Sequence, residues 1–273
     1  MTRGGVRGLV ARWRGRDIEL KSPHELDAMR AAGALVARTL AEVATLAKAG
    51  VSTAELDALA EQTIRDAGAE PSFKGYHGYP ASICASVNEQ IVHGIPSATR
   101  VLADGDLISV DCGAVLDGWH GDAAVTVPIG AVSEPDLQLS AACQAALSAG
   151  IAAAVVGARL TDISHAVQSS IAASVERNRA DYGIVAEDGG HRIGSAMHMV
   201  PFLPNHGDPG HGPRLRQGMA LAIEPMITAG DPETVELEDG WTVVTASGAR
   251  AVHWEHSVAI TDAGPRVLTL PAT

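Results

Sequence analysis

Asp106-Leu107-Ile108-Ser109-Val110-Asp111, then the turn-like Asp117-Gly118-Trp119-His120-Gly121, then Asp122 at the head of the apolar run 123–129, reads as two strands joined by a turn. Side chains alternate between faces along a strand, so Asp111 shares a face with Ser109, opposite Ile108 and Val110. A hairpin closing through 117–121 would bring Asp111 and Asp122 to one edge. Carboxylates set in apolar strand sequence are costly to bury unless they are paired or hold a cation.

Upstream of this hairpin, Ser22-Pro23-His24-Glu25 is a capping box with proline in the first turn, followed by Leu26, Met29, Gly33, Val36, Leu40 and Val43 at helical spacing. Gly50 ends that helix, Ser52 with Glu55 opens a second through about Ala67, and the run 82–87 is strand-like. Downstream the order starts again. Ser133-Glu134-Pro135-Asp136 caps a helix to about Val156, Thr161-Asp162 opens another to about Asn178, and strand-like runs return at 219–228, 241–245 and 251–260. Two helices and then strands, twice, predicts a pseudo-duplicated α/β (α+β) body whose sheets meet around a cleft, with repeats at about 22–130 and 133–262. The Gly-, Pro- and His-rich stretch 189–218 has little periodicity and reads as a long functional loop.

The second half repeats the carboxylate theme with Glu224 in Ala222-Ile223-Glu224-Pro225-Met226 and Glu255 in His253-Trp254-Glu255-His256. One such carboxylate is ordinarily a salt bridge, but carboxylates in corresponding places of two halves favour a metal site. His191, flanked by Gly190 and Gly194, is the imidazole best placed to join them, with His198 the next candidate. The set is hard and oxygen-rich, suited to two divalent ions and more Mn-, Fe- or Co-like than a thiolate zinc site. Two such ions about 3.5–4 Å apart would draw the pKa of a bridging water towards about 7.

Composition agrees. The chain has 273 residues, 46% apolar and 3% aromatic, with 32 acidic and 20 basic residues and a formal charge of −12. The apolar fraction supplies a core, while the charge speaks against a general nucleic-acid binder. Cys84, Cys112 and Cys143 form no C-x-x-C pair, which fits a reducing, cytoplasmic setting and excludes a disulfide scaffold. Residues 1–21 carry Arg3, Arg7, Arg12, Arg14 and Arg16 without an apolar core, so they read as an arginine-rich extension and not a secretory signal. No run approaches the roughly 18 apolar residues of a membrane span.

Gly75-Tyr76-His77-Gly78-Tyr79-Pro80, Ser86-Val87-Asn88 with Val92-His93-Gly94-Ile95-Pro96, Asp117-Gly118-Trp119-His120-Gly121-Asp122, Ile223-Glu224-Pro225-Met226, Asp239-Gly240-Trp241-Thr242-Val243 and Glu255-His256 together resemble the motifs of type I methionine aminopeptidases, from about residue 22 to the end. The resemblance implies the pita-bread fold, with helices packed outside a central, mostly antiparallel curved sheet, as one catalytic domain over 22–273. It implies removal of the initiator methionine from nascent polypeptides, preferably before a small second residue. The implied ligands of two divalent ions (Mn, Fe, Co or Zn) are Asp111, Asp122, His191, Glu224 and Glu255, with Asp122 and Glu255 bridging and Glu224 doubling as proton shuttle. His93 and His198 fall on the family's substrate-contacting histidines, and Phe73, Tyr76, Tyr79, Cys84, Met197 and Trp241 on its methionine pocket.

The interval from His191 to Glu224 is too short for the helical insertion of type II enzymes. A cytoplasmic monomer is expected, without membrane or specific DNA partners; the basic arm reads first as a solvated tail or an edge strand over the body, with a targeting peptide or a contact to ribosomal RNA near the exit tunnel as the functional alternatives. His120, His253 and His256 are read as structural neighbours of the ligands. Arg192 stands where the family usually has glycine. A positive φ there would strain an arginine and displace His191, and the side chain could alter access to the cleft. The rival readings are a prolidase or aminopeptidase P on the same ligand pattern, and a catalytically silent binding module.

Overall fold

The computed structural model describes residues 18–272. Ser22 Oγ accepts from Glu25 N at 3.3 Å while Glu25 accepts from Ser22 N at 2.7 Å, and this capping box opens α1 (Pro23–Leu46). Ser52 and Glu55 repeat it for α2 (Thr53–Asp66). Next come β1 (Glu70–Pro71), a single 3-10 turn at Tyr76–Gly78, β2 (Ile83–Val87), β3 (Gln90–Val92), and the long hairpin of β4 (Leu107–Leu116) and β5 (Trp119–Pro128). Ser133 caps α3 (Glu134–Ala153). In place of the expected Thr161 start, α4 (Leu160–Asn178) begins where Asp162 accepts from Arg159 N at 2.7 Å. The chain closes with β6 (Tyr182–Ile184), β7 (Gly190–Arg192), β8 (Met199–Leu203), β9 (Ala220–Ile223), β10 (Met226–Ala229), β11 (Thr234–Glu236), β12 (Val243–Thr245), β13 (Ala251–His253), β14 (His256–Thr261) and β15 (Gly264–Val267).

Every ladder between these strands is antiparallel. β4 holds β5 on one edge and β2 with β1 on the other; β15-β14-β9-β7-β8 form a five-stranded sheet, and β13-β10-β6 and β11-β12-β3 form two of three strands. Leu35, Val36, Leu40 and Val43 of α1 and Leu56, Ala60 and Ile64 of α2 pack with Ile83, Ile108 and Val110 in one core. In the second half, Leu147, Leu160 and Ile163 pack with Leu221, Ile223 and Val258. The helices thus cover the sheets from outside, as the repeated helix-then-strand order predicts.

Four features depart from the sequence reading. The β4–β5 ladder runs until Leu116 faces Trp119, so the turn shrinks from 117–121 to Asp117-Gly118, whose φ angles of 50° and 79° are both positive as a two-residue I′ turn requires. The run 219–228 is two strands interrupted at Glu224-Pro225, because proline cannot donate to a ladder, and 251–260 is interrupted opposite it at Trp254-Glu255. Trp241 precedes its strand, since Asp239 Oδ1 accepts from Trp241 N and Thr242 N at 2.9 and 2.8 Å and holds them in a turn. The stretch 189–218 contains β7, paired with β9, and β8, paired with β7; short strands made by backbone pairing leave no side-chain alternation to detect.

Hydroxyls sew the halves together. Ser257 Oγ donates to Asp122 O at 2.8 Å, Thr126 Oγ1 donates to His253 O at 2.9 Å, and Ser109 Oγ accepts from His253 N at 3.1 Å, all buried. Glu255 N adds a 3.0 Å bond to Ala124 O. No helix among the described residues is long and apolar enough to cross a membrane. The arginines of the N-terminal extension lie outside the described residues, whereas Ile18, Glu19 and Lys21 lie against the second half.

Candidate active site

The hairpin register sets Asp111 opposite Ala124 and Asp122 opposite Gly113, so the two carboxylates are diagonal neighbours on one face. In the other half, Ile223 faces His256 and Met226 faces His253, and this register puts Glu224 opposite Glu255 in the gap between the strands. The residue carrying the imidazole, His191, faces Ala222 across the β7–β9 ladder. Its Nε2 lies 3.4 Å from Glu224 Oε1 and 3.9 Å from Asp122 Oδ2. His191 Nδ1 is 3.0 Å from Arg192 O; donating its proton there turns the Nε2 lone pair toward the carboxylates, the orientation a metal requires.

Donor atoms of Asp122, His191 and Glu255 lie within 4.8 Å of one another, as do those of Glu224, His253 and Glu255. Asp111 stands outside both groups, beside Asp122. Asp122, His191, Glu224 and Glu255 are buried, while Asp111 keeps part of its surface open. Desolvation, with Glu224 adding to it, raises Asp111 to about 7, and desolvation likewise raises Glu224 to about 7. Asp122 and Glu255 are also raised well above the usual carboxylate range, through desolvation and then repulsion from neighbouring carboxylates. Asp111 Oδ1, Asp122 Oδ1, Glu255 Oε1 and His253 Nε2 are buried without a hydrogen-bond partner. A polar cluster in this condition is unfavourable alone and is relieved by divalent cations, whose charge reverses the repulsion. The donor set fits that charge and its preference for oxygen.

His253 is the residue underestimated from sequence. Its Nε2 lies 3.5 Å from Glu224 Oε2, which makes it part of the cluster and not merely a neighbour. Strand alternation places His253 and Glu255 on one face, and that was the available signal. Asn205 carried no signal at all; its Nδ2 donates to Glu224 O at 3.0 Å and satisfies a carbonyl at the strand break.

Phe73, Tyr79, Cys84 and Met197 gather in a buried apolar cluster with Tyr76 and Trp241 packed against it. Cys84 is registered opposite Asp111, which joins this cluster to the carboxylates. Tyr79 Oη donates to Ile83 O or Gly94 O, at 3.0 and 3.1 Å, so the ring serves as wall and the hydroxyl is already engaged. His93 lies 6.2 Å from the Trp241 ring and His198 5.2 Å from that of Tyr76, centroid to centroid. Desolvation lowers both histidines to about 4, with His253 adding to the effect on His93 and His93 itself adding to that on His198. Both are neutral near pH 7.

The concern over Arg192 is resolved. Its φ is not positive, it lies in β7, and it is 1% exposed, so it neither strains the backbone nor enters the cleft.

Hard oxygen donors, an oriented imidazole and an adjoining apolar pocket define a metal-dependent hydrolase. Comparison with known proteins narrows the class: the sequence pattern of metallopeptidase family M24 matches residues 27–262. Methionine aminopeptidase 1 of Mycobacterium tuberculosis is 59% identical over 96% of this chain and 98% of its own length. The crystal structure of methionine aminopeptidase from Thermotoga maritima superposes with a TM-score of 0.88 at 40% identity, covering 93% of this chain and 99% of that one. A prolidase from Pyrococcus horikoshii, at 20% identity and a TM-score of 0.72 over 93% of this chain and 64% of its own, shares the fold alone. The chain belongs to metallopeptidase family M24 and, within it, to the bacterial methionine aminopeptidases of type I, with the pita-bread fold.

Proposed function

We infer that the protein is a divalent-metal aminopeptidase that removes the initiator methionine from nascent polypeptides, preferring a small second residue. One observation carries this reading: carboxylates from both halves and His191 converge on a buried cluster short of positive charge, against an apolar pocket suited to an unbranched thioether. Two ions, of Mn, Fe, Co or Zn, would be held by Asp111, Asp122, His191, Glu224 and Glu255, with Asp122 and Glu255 shared. Bound there, they would lower the pKa of a water and polarise the scissile carbonyl.

The side chains divide the remaining work. Glu224, with one oxygen toward His191 and the other toward His253, takes the proton of the attacking water and passes it to the leaving amine. His198, neutral at pH 7, donates to the carbonyl oxygen as charge develops, and His93 contacts the scissile amide. Phe73, Tyr76, Tyr79, Cys84, Met197 and Trp241 enclose the methionine side chain. Residues 22–273 act as one catalytic domain of two repeats, about 22–130 and 133–262, in a cytoplasmic monomer. The free, buried cysteines Cys84, Cys112 and Cys143 support the reducing compartment, and the arginines ahead of residue 18 support contact with ribosomal RNA.

Anaerobic purification with metal analysis, paired with turnover on Met-Ala-Ser and Met-Gly peptides, tests the reading. Two ions per chain and release of methionine are expected. Cleavage of Xaa-Pro dipeptides but not of Met-Ala-Ser would overturn it in favour of a prolidase activity.

A further inference from the structure

Beneath the loop that carries His191 and His198 runs a strap, residues 18–21, seated at backbone level. A Cβ on Gly194 would lie 2.2 Å from Glu19 Oε1 and 2.5 Å from Lys21 Nζ, and one on Gly218 would lie 2.5 Å from Lys21 O. At Gly218, whose φ is 86°, only glycine lets the Lys21 backbone lie where it does, while at Gly194 the missing side chain leaves room for the ends of the Glu19 and Lys21 side chains. Lys21 N donates to Gly218 O at 2.7 Å from one side of this seat.

Side chains then stitch strap to loop. The Arg192 guanidinium donates through Nη1 to Val200 O at 2.7 Å and through Nη2 to Glu19 O at 3.1 Å. Lys21 Nζ donates to Ile193 O at 2.6 Å and pairs with Glu19 Oε1 at 3.0 Å. The Glu19 carboxylate also accepts from Ser195 Oγ, and from Ser195 N at 3.4 Å. The attachment points Arg192, Ile193, Ser195 and Val200 bracket His198 and begin immediately after His191.

A guanidinium that is 1% exposed, bonded to carbonyls and with Nε unpartnered, is an expensive way to stabilise a loop. Its position accounts for that expense. The Arg192 carbonyl is the group that orients His191 Nδ1, so fixing the Arg192 backbone fixes the direction of His191 Nε2. We propose that Arg192 and the strap Glu19–Lys21 are positioning residues of the active site, clamping the His191–His198 loop so that the imidazole faces the carboxylates and His198 faces the substrate carbonyl. The proposal rests on the roles of His191 and His198 given above and adds a device that neither residue supplies.

The test uses the full chain with Arg192→Met, Arg192→Lys and Glu19→Ala. For Arg192→Met, kcat on Met-Ala-Ser is expected to fall about tenfold with KM changed less than twofold, as for a group acting through the transition state. Calorimetric Mn2+ affinity of the metal-free protein should weaken about tenfold, the order seen when a ligand loses its orienting partner. Amide exchange across residues 193–199 should quicken. Arg192→Lys, which restores one donor, should recover part of each loss, and Glu19→Ala should show the same changes at about threefold. Wild-type kcat, Mn2+ affinity and exchange in the variants, with only a lower melting temperature, would reduce the clamp to ordinary packing and overturn the proposal. If Arg192→Met does not fold, Glu19→Ala decides by the same criteria. Failure of the wild type to cleave Met-Ala-Ser would count against the proposed activity instead, while Mn2+ affinity and exchange still decide the clamp.

Discussion

Each half of the molecule delivers a pair of carboxylates, but by opposite devices. β4 and β5 are unbroken ten-residue strands, and Asp111 and Asp122 project from a continuous ladder, with Ser257 Oγ bonding the outward-facing N and O of Asp122 at 3.1 and 2.8 Å. β9–β10 and β13–β14 are broken at the same level, and Glu224 and Glu255 stand in the gap. The ladder's register is uninterrupted. The gap must find substitutes, and it finds them in Asn205 Nδ2 for the Glu224 carbonyl and Ala124 O for the Glu255 amide. A break lets two glutamates face each other squarely, at the cost of backbone groups that other elements must satisfy.

The most severe test of this pairing removes one carboxylate from each half. Asp122→Ala and Glu255→Ala should each lower turnover by about a thousandfold or more and abolish full metal loading, read by metal analysis beside peptide cleavage. If one variant keeps its metal and the other does not, the halves do not contribute equally. Next in size is Asn205→Ala, which leaves the buried Glu224 carbonyl unpaired. It should cost about 2 kcal/mol in chemical denaturation, within the usual range for such a group. A change below about 0.5 kcal/mol would mean that the gap tolerates an orphan and the contrast with the ladder is overstated.

The pH dependence of the metal-free protein follows from the same cluster. Carboxylates raised in the folded state contribute stability below their unfolded pKa and lose it as pH climbs through the folded value, while the lowered His93, His191 and His198 act oppositely between about 4 and 6.5, and His253, also lowered, acts in the same sense as these histidines below about 6.5. Above about pH 6.5 only the carboxylates remain. Stability should therefore fall there by up to about 1.4 kcal/mol per pH unit for each proton released, and Mn2+ should flatten the slope. Melting curves between pH 6.5 and 8 with and without metal read this directly, and a flat metal-free profile would remove electrostatic frustration from the account. The smallest effect belongs to the ladder's turn. Gly118→Ala, at a φ of 79°, should cost about 1 kcal/mol while leaving kcat/KM unchanged, because the long ladder holds Asp111 and Asp122 without it.

Much of this contrast was legible in the sequence, and the reason lies in side-chain chemistry. Capping boxes at Ser22 and Ser52 mark helix starts because the serine and glutamate themselves make the bonds. Asp111 and Asp122 could be paired because alternation and turn residues determine a hairpin face. Asp111, Asp122, His191, Glu224 and Glu255 were named from apolar context and family motifs. The breaks were harder to foresee, since Ala222-Ile223-Glu224-Pro225-Met226 is strand-like on both sides and only Pro225 hints at an interruption. β7 and β8 left no pattern because main-chain pairing, β7 with β9 and β8 with β7, makes them. The buried course of Arg192 was equally silent, for it depends on a strap that is remote in sequence and on carbonyls that any residue could provide.

The hydroxyl seam between the halves has a mechanical consequence. Swinging the halves apart would strip Ser109 of His253 N, Thr126 of His253 O and Ser257 of Asp122 O, at about 1–3 kcal/mol for each group left unsatisfied. That resistance makes a hinge here stiff. A cleft held by such a seam would keep one width, so that the energy of binding methionine would not be spent on closing the enzyme around it.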